Sequence, residues 1–213
     1  MYDHADYKDH TPEAIHQFIA AHPLALLSGC NKKFDPVATQ VPVLLEKEAD
    51  GSLYLRGHMI RGSEHHKAFQ ENPKVMLVFT GPQSYVSATW YAKERSASTW
   101  NFMSVQAKGS IRFLGEAGLR AIMQKTTLHF EKGNHHSPTV FRNLDPQYVQ
   151  RLLKYIIAFE VKVESLDHVF KLSQDMDAGS YQSIVAHLHK GDANAQMVAT
   201  EMEKRMPGLF GEL

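Results

Sequence analysis

LYLRGHMIRGSEHHKAFQENPKVMLVF, running from Leu53 to Phe79, decides how the rest of the chain is read. It opens as a strand, with Leu53 and Leu55 alternating against Tyr54 and Arg56, the period of two expected where one face is buried. Gly57 and Gly62 predict turns, and a short helix begins near Ser63. Asn72-Pro73 ends that helix, and the nearly all-apolar Val75 to Phe79 reads as a second strand. Between the strands the chemistry is crowded, with His58, Arg61, Ser63, His65 and His66 close together. Ser63 is placed to cap the helix, whose first N–H groups and positive dipole end suit an anion. Arg61 would add a charged fork, and Ser63 and the histidines further donors. A capped surface helix with solvated His and Arg fits the same residues.

The 213 residues are 43% hydrophobic and 22% charged, ordinary values for a globular protein. Such a length holds one domain with a full core, or one domain with a helical appendage. A formal net charge of zero argues against a nucleic-acid clamp, which would show a basic stripe. The single cysteine, Cys30, excludes an intramolecular disulfide framework and a multi-cysteine metal site. Beside Gly29 at the end of an apolar run, it reads as a buried, inert thiol. No N-terminal segment resembles a signal peptide and no apolar run is long enough to cross a bilayer, so a cytoplasmic, membrane-free protein is expected.

In chain order, residues 1–10 are polar, and Thr11-Pro12-Glu13 opens a helix with Ile15, Phe18 and Ile19 on its apolar face. Pro23 stops it, and PLALLSGC to Cys30 reads as a buried strand. The next strand, Pro36 to Glu46, holds the unusual run Thr39, Gln40, Val41, Pro42. A proline inside a strand removes a ladder donor and predicts an edge, a bulge or a ligand-facing rim. Thr39 and Gln40 fit either an ordinary edge strand or a wall offering hydrogen bonds to a flat heterocycle. Gly81-Pro82 predicts a turn into SYVSATWY, followed by a polar loop from Ala92 to Ser98. Thr99 to Leu114 reads as one long strand with a kink or bulge near Gly109. In it, Trp100 and Asn101 pair a flat apolar surface with a two-way amide, a combination suited to an aromatic ligand, although Trp is more often a core residue. A helix from Glu116 to Lys132 stops at Gly133-Asn134. His135-His136 invites a metal, but no carboxylate or cysteine lies at ligand spacing. Asp145-Pro146 starts another helix. Tyr155 to Val163 alternates as a strand, a turn is expected through Ser165 to His168, and FKLSQ then presents Lys171, Ser173 and Gln174 on its polar side. Two short helices flank Gly191-Asp192, the first lined by Tyr181, Ile184, Val185 and Leu188, the second marked by Met197 and Met202.

Short strands with helices gathered before and after them predict an α+β protein built on a small antiparallel barrel. Dinucleotide, Walker and nucleophile-elbow motifs are absent, and Ser, His and Asp stand in no triad context.

GHMIRGSEHHKAFQENPKVMLVFTGPQSYVSATWY, then TWNFMSV and a following Lys-Gly, then FKLSQ, resemble the PaiB-type FMN-binding negative transcriptional regulators. These are split-barrel flavoproteins related to pyridoxamine 5′-phosphate oxidase. The resemblance runs from the Thr11 helix to the C-terminal helices, and its motifs are specific in combination. It implies an FMN-binding split β-barrel over 1–174, antiparallel and Greek-key-like, with a helical tail over 175–213 packed on the barrel or on a second subunit. It also implies a homodimer with FMN at the subunit interface. In the family a Ser-x-Lys/Arg pair upstream of an Asn-Pro grips the phosphate; here Ser63 and His65 hold those positions, joined by His58 and Arg61. Histidine in place of the basic residue implies weaker phosphate binding at high pH. Thr39, Gln40, Val41 and Pro42 match the strand lining the flavin ring, Trp100 and Asn101 the strand closing over it, and Lys171, Ser173 and Gln174 the late segment reaching the pocket. The family's function implies a negative effector of transcription without an obvious DNA-binding motif, with a protein or DNA partner. Two other functions stay open: an FMN-dependent oxidoreductase using a reduced nicotinamide or small substrate, and, with thirteen histidines, a haem-handling split-barrel protein.

Overall fold

The computed structural model describes Met1 and residues 4–8, 11–92 and 97–211. The chain divides into two compact units, one of residues 19–79 and 106–166, the other of residues 1–18, 80–105 and 167–213. Strands β4 (Lys74–Val86), β5 (Thr99–Phe113) and β6 (Ile156–Lys171) supply residues to both.

The first unit carries the barrel. With β1 (Leu24–Cys30), β2 (Pro36–Lys47) and β3 (Leu53–Ile60), the strands close in the order β1-β2-β3-β6-β5-β4, and the β1–β2, β1–β4, β2–β3 and β3–β6 pairs are antiparallel. Closure removes the edges that a sheet would otherwise expose. Pro42 therefore lies on no edge. Residues 36–42 of β2 pair with β1 and residues 43–47 pair with β3, so the proline stands where the strand changes partner. There a missing N–H breaks neither ladder, and the next amide, Val43 N, donates to Pro23 O at 2.9 Å.

Three of the expected turns are absent, for related reasons. At Gly57 β3 continues to Ile60. The glycine is there because the Pro42 carbonyl approaches so closely that a Cβ would lie 2.6 Å from it and 3.0 Å from the Phe159 ring. Gly109 has the same role on β5, where a Cβ would collide with the Lys162 carbonyl of β6. At Gly81-Pro82, β4 runs through to Val86, and β6 likewise passes through residues 165–168 without reversing.

Alternation along the strands fills the barrel with Ala25, Leu27, Val41, Val43, Leu55, Leu77, Phe159 and Val161, all nearly inaccessible. Helices α3 (Glu116–Phe130) and α4 (Pro146–Tyr155) cover one side, burying Leu119, Ile122, Met123, Val149 and Leu153 against Phe141, Ile156 and Ala158. A charge network also crosses the strands. Arg56 on β3 reaches Glu46, Glu48 (2.7 Å) and Glu160 (3.2 Å); Arg112 also holds Glu160, and Lys125 holds Glu46 at 2.7 Å. Burial works to raise the Glu160 pKa, but the Arg112 and Arg56 guanidiniums hold it below the usual carboxylate range.

The second unit holds the tail helices α5 (Ala178–Leu188) and α6 (Ala193–Phe210), capped by Asp177 and Asp192. They bury Tyr181, Ile184 and Leu188 with Val198, Ala199 and Met202, and Tyr181 Oη donates to Met202 O at 2.9 Å. Helix α6, with Pro207 inside it, is longer than the sequence pattern suggested. No described helix is long and apolar enough to cross a membrane.

Because β2 and β3 leave no room at Gly57, Gly57→Ala is expected to destabilise the fold by about 1–3 kcal/mol, the usual penalty of overpacking. Urea denaturation followed by circular dichroism measures it, and an unchanged midpoint would contradict the close approach.

Candidate functional site

Of the residues expected to hold a cofactor, eight lie in the barrel unit and five in the other. In the barrel unit, the end of β3 and the start of α2 (Glu64–Glu71) form a tightly bonded turn. Ser63 caps α2: its Oγ accepts from His66 N at 3.3 Å and donates to Ile60 O at 2.9 Å. A hydroxyl carries one proton, so the 2.9 Å contact between Ser63 Oγ and His65 Nε2 has the imidazole as donor. Gly62, at φ 77°, donates its N–H to His66 Nδ1 at 2.9 Å, which places the His66 proton on Nε2. That Nε2 is buried without a partner and the ring meets Phe113 edge-on, 4.7 Å between centroids. Arg61 is anchored at its backbone, N to Tyr155 O at 2.8 Å, and through one guanidinium nitrogen to Ile156 O at 3.1 Å; the residue is otherwise exposed.

His58 stands one residue beyond the tight Gly57 contact, and its Nδ1 is buried with no hydrogen-bond partner. Burial pushes the pKa values of His58 and His65 down, and that of His66 too, where Arg61 adds to the effect. At neutral pH the imidazoles of this turn are therefore neutral, and Arg61 carries its fixed positive charge. Guanidinium donors and the first N–H groups of α2 are donors of the kind a phosphate group takes, and the unpartnered His58 nitrogen is left to be satisfied.

On β2 the four expected residues face two ways. Val41 is buried in the barrel, so only its backbone is available to a ligand, and half-buried Thr39 shares its side. Gln40 and Pro42 lie outward, paired with Leu26 and Leu24 of β1.

In the other unit, Asn101 and Ser173 are fully buried and bonded to each other, Ser173 Oγ donating to Asn101 Oδ1 at 3.0 Å. The Asn101 amide contacts Met202 Sδ at 3.5 Å. Gln174 folds back on its own turn, accepting from Leu172 N at 2.6 Å and donating to Phe170 O. Lys171 donates to Thr99 Oγ1 and to Trp100 O (2.9 Å), and burial lowers the pKa of its amine. Trp100 is 55% exposed, edge-on to Tyr85. These contacts leave the Trp100 ring as the accessible face of the group. Sequence reasoning left His66 outside the proposed phosphate set; its burial and its bond to Gly62 are visible only once α2 is in place. Among the described residues no cluster of three or more His, Cys, Asp or Glu is arranged to hold a metal.

The geometry is that of a closed barrel with a tightly bonded turn between β3 and α2, and the comparisons bear on the barrel. Residues 1–165 match the family model described as "Putative FMN-binding domain". The chain is 30% identical over 174 residues to the protease synthase and sporulation protein PAI 2 of Bacillus subtilis, covering 80% of this chain and 82% of that one. It belongs to this FMN-binding family, whose cofactor is FMN. In fold it is similar to a conserved hypothetical protein from Mycobacterium tuberculosis (TM-score 0.56, 11% identity, 80% of this chain and 91% of that one). It is similar also to a flavocytochrome from Azotobacter vinelandii (TM-score 0.54, 18% identity, 76% and 68%). The fold is the split barrel of flavoproteins.

The depressed histidine pKa values carry a sign. The unfolded chain takes up protons at His58 and His66 before the folded chain does, so their contribution to stability is complete above about pH 6.5 and is lost as pH falls below it. Urea midpoints between pH 7.5 and 5 are expected to drop, and His66→Gln, which keeps an acceptor for Gly62 but does not titrate, is expected to flatten that dependence. An equally steep drop in the variant would remove His66 from the account.

Proposed function

We propose that this FMN-binding split-barrel protein works as a homodimer with FMN at the subunit interface, and serves as a negative regulator of transcription through a protein partner. The observation that carries the binding half is the turn before α2, where the partnerless His58 Nδ1, the Arg61 guanidinium and the helix N-terminus follow one another within one short segment of chain. Arg61 and Ser63 would hold the phosphate with His58 and His65, while Thr39 to Pro42 would line the ring. Bound FMN supplies redox chemistry of its own; the residues bind it, orient it and exclude water.

The dimer is supported by the outer face of the barrel. Leu24 is 56% and Leu26 42% exposed on β1, next to Pro42 on β2 and Val78 on β4. A contiguous apolar strip on a closed barrel favours burial by a second copy. The regulatory half is supported by the Bacillus subtilis relative, whose name ties it to protease synthesis and sporulation. Zero net charge favours action through a protein over direct grip on DNA.

A second reading, an FMN-dependent oxidoreductase, is favoured by Lys171. Its amine, lowered in pKa by burial, lies against the backbone of the exposed Trp100 and could hold or release a proton beside a bound aromatic ring.

Two measurements test these readings. The Arg61→Ala, Ser63→Ala double variant is expected to lose FMN at least tenfold in a fluorescence titration, while losing no more than about 1–2 kcal/mol of stability from its missing cap. His65→Lys is expected to tighten FMN at pH 8. Stoichiometric flavin retained in a folded double variant would sink the phosphate assignment. The second measurement is the absorption spectrum with FMN and then NADH or NADPH in air: flavin bands that persist leave the regulator, bleaching establishes the oxidoreductase, and a Soret band would replace both with a haem protein.

A further inference from the structure

The hairpin joining β1 to β2 shows an unusual combination. Phe34 is 81% exposed, and it is held at φ 67°, a left-handed conformation that an aromatic residue rarely adopts. The turn around it is rigid. Asn31 N donates to Asp35 O (3.1 Å), Phe34 N to Asn31 O (3.0 Å), and the Asn31 side chain bonds Lys33 N (2.8 Å), Asp35 N (3.1 Å) and the Asp35 carboxylate (2.9 Å). Five hydrogen bonds thus fix a strained backbone in order to hold a phenyl ring in water. Folding of the protomer gains nothing from that ring, whereas a preorganised aromatic is the usual anchor of a protein interface.

Beside the hairpin lies an open groove. Asn31, Val37, Glu64, Lys67, Ala68 and Glu71 line a cavity of about 330 Å³ between β2 and α2, with an apolar floor at Val37 and Ala68 and carboxylates at Glu64 and Glu71. Phe34 is not one of its walls. The cavity adjoins β2, which runs on past Gln40 to Pro42, beside Leu24 in the apolar strip. Because finger and cavity adjoin each other on one surface, a two-fold axis can bring each finger to the other copy's cavity.

We propose that Phe34 is the anchor of a self-association contact, each copy's finger seated in the α2–β2 cavity of a second copy of this chain, with Lys33 directed at the Glu64 carboxylate, Glu71 being paired with Lys32 of its own chain. The proposal rests on the homodimer reading above. A membrane surface fits less well as the occupant, because Glu71 pairs with Lys32 (4.0 Å) and Asp35 is built into the turn, which cancels the charge that two lysines would offer to anionic lipid.

The test uses Phe34→Gly on the full chain. Glycine relieves the left-handed strain, so the variant protomer is expected to be at least as stable as wild type, while its dimer dissociation constant in sedimentation equilibrium rises about a hundredfold, tenfold for each finger. Phe34→Trp is expected to keep the dimer. A photo-crosslinking benzoyl-phenylalanine at position 34 is expected to label residues 64–71 of the other copy. A wild-type monomer at micromolar concentration overturns the dimer reading itself. A wild-type dimer whose dissociation constant is unmoved by Phe34→Gly, or whose crosslink maps elsewhere, overturns the finger alone. Loss of sedimentation with anionic phosphatidylserine vesicles in Phe34→Gly, with dimerisation intact, would overturn it in favour of a lipid surface.

Discussion

The approach of the Pro42 carbonyl to Gly57 is the constraint on which the site depends. It exists because β2 changes partner at Pro42, leaving β1 and taking up β3 at the next residue. A side chain at position 57 would push the two strands apart. With glycine there, β3 runs on to Ile60 and pairs through His58 with Ala158 and through Ile60 with Ile156. That pairing delivers the Ile60 carbonyl to Ser63 and the Tyr155 carbonyl to Arg61, so the turn before α2 is a consequence of how the barrel closes.

The electrostatics of that turn differ from those of the rest of the barrel. On the outer surface, permanent cations and carboxylates neutralise each other around Arg56 and Glu160. At the turn the candidate cations are mostly imidazoles that burial keeps neutral, and Arg61 is partly engaged with the backbone at Ile156. A phosphate there would be held at neutral pH by one formal charge and several neutral donors. Acid would strengthen that grip at His65 while weakening the fold at His58 and His66, so binding and stability respond to pH in opposite directions.

The sequence made the class of fold and the position of the turn legible because both rest on local rules: alternation in Leu53 to Leu55, a serine three residues before an amide that needs an acceptor, and Asn-Pro ending a helix. It misleads where glycine and proline read as turns. Gly57 and Gly109 lie inside strands where they permit close approach and Pro42 stands where β2 changes partner, and these are contacts between segments distant in sequence; Gly81-Pro82 and residues 165–168 also lie inside strands. No local pattern distinguishes a glycine that turns from one that merely makes room. Phe34 is a different case: its left-handed backbone is fixed by the neighbouring Asn31 and Asp35, a local arrangement that hydrophobic alternation does not report.

The motifs TWN and KLSQ are specific together because they are bonded together. Asn101 accepts from Ser173, whose own backbone sits at φ 61°, and Gln174 closes the turn that keeps it there. A buried serine in the left-handed region persists only when its surroundings over-determine it. Here a fully buried amide, a methionine sulfur on α6 and two side-chain to backbone bonds do so. Resemblance in these residues therefore reports first on how this unit is built, with the amides of Asn101 and Gln174 serving as internal braces. What the braces support is the pair they leave accessible. The Lys171 amine is fixed to the Trp100 carbonyl, so the exposed indole and the amine are presented as one rigid element. A ligand meeting that element would meet the ring's face first and the braces not at all.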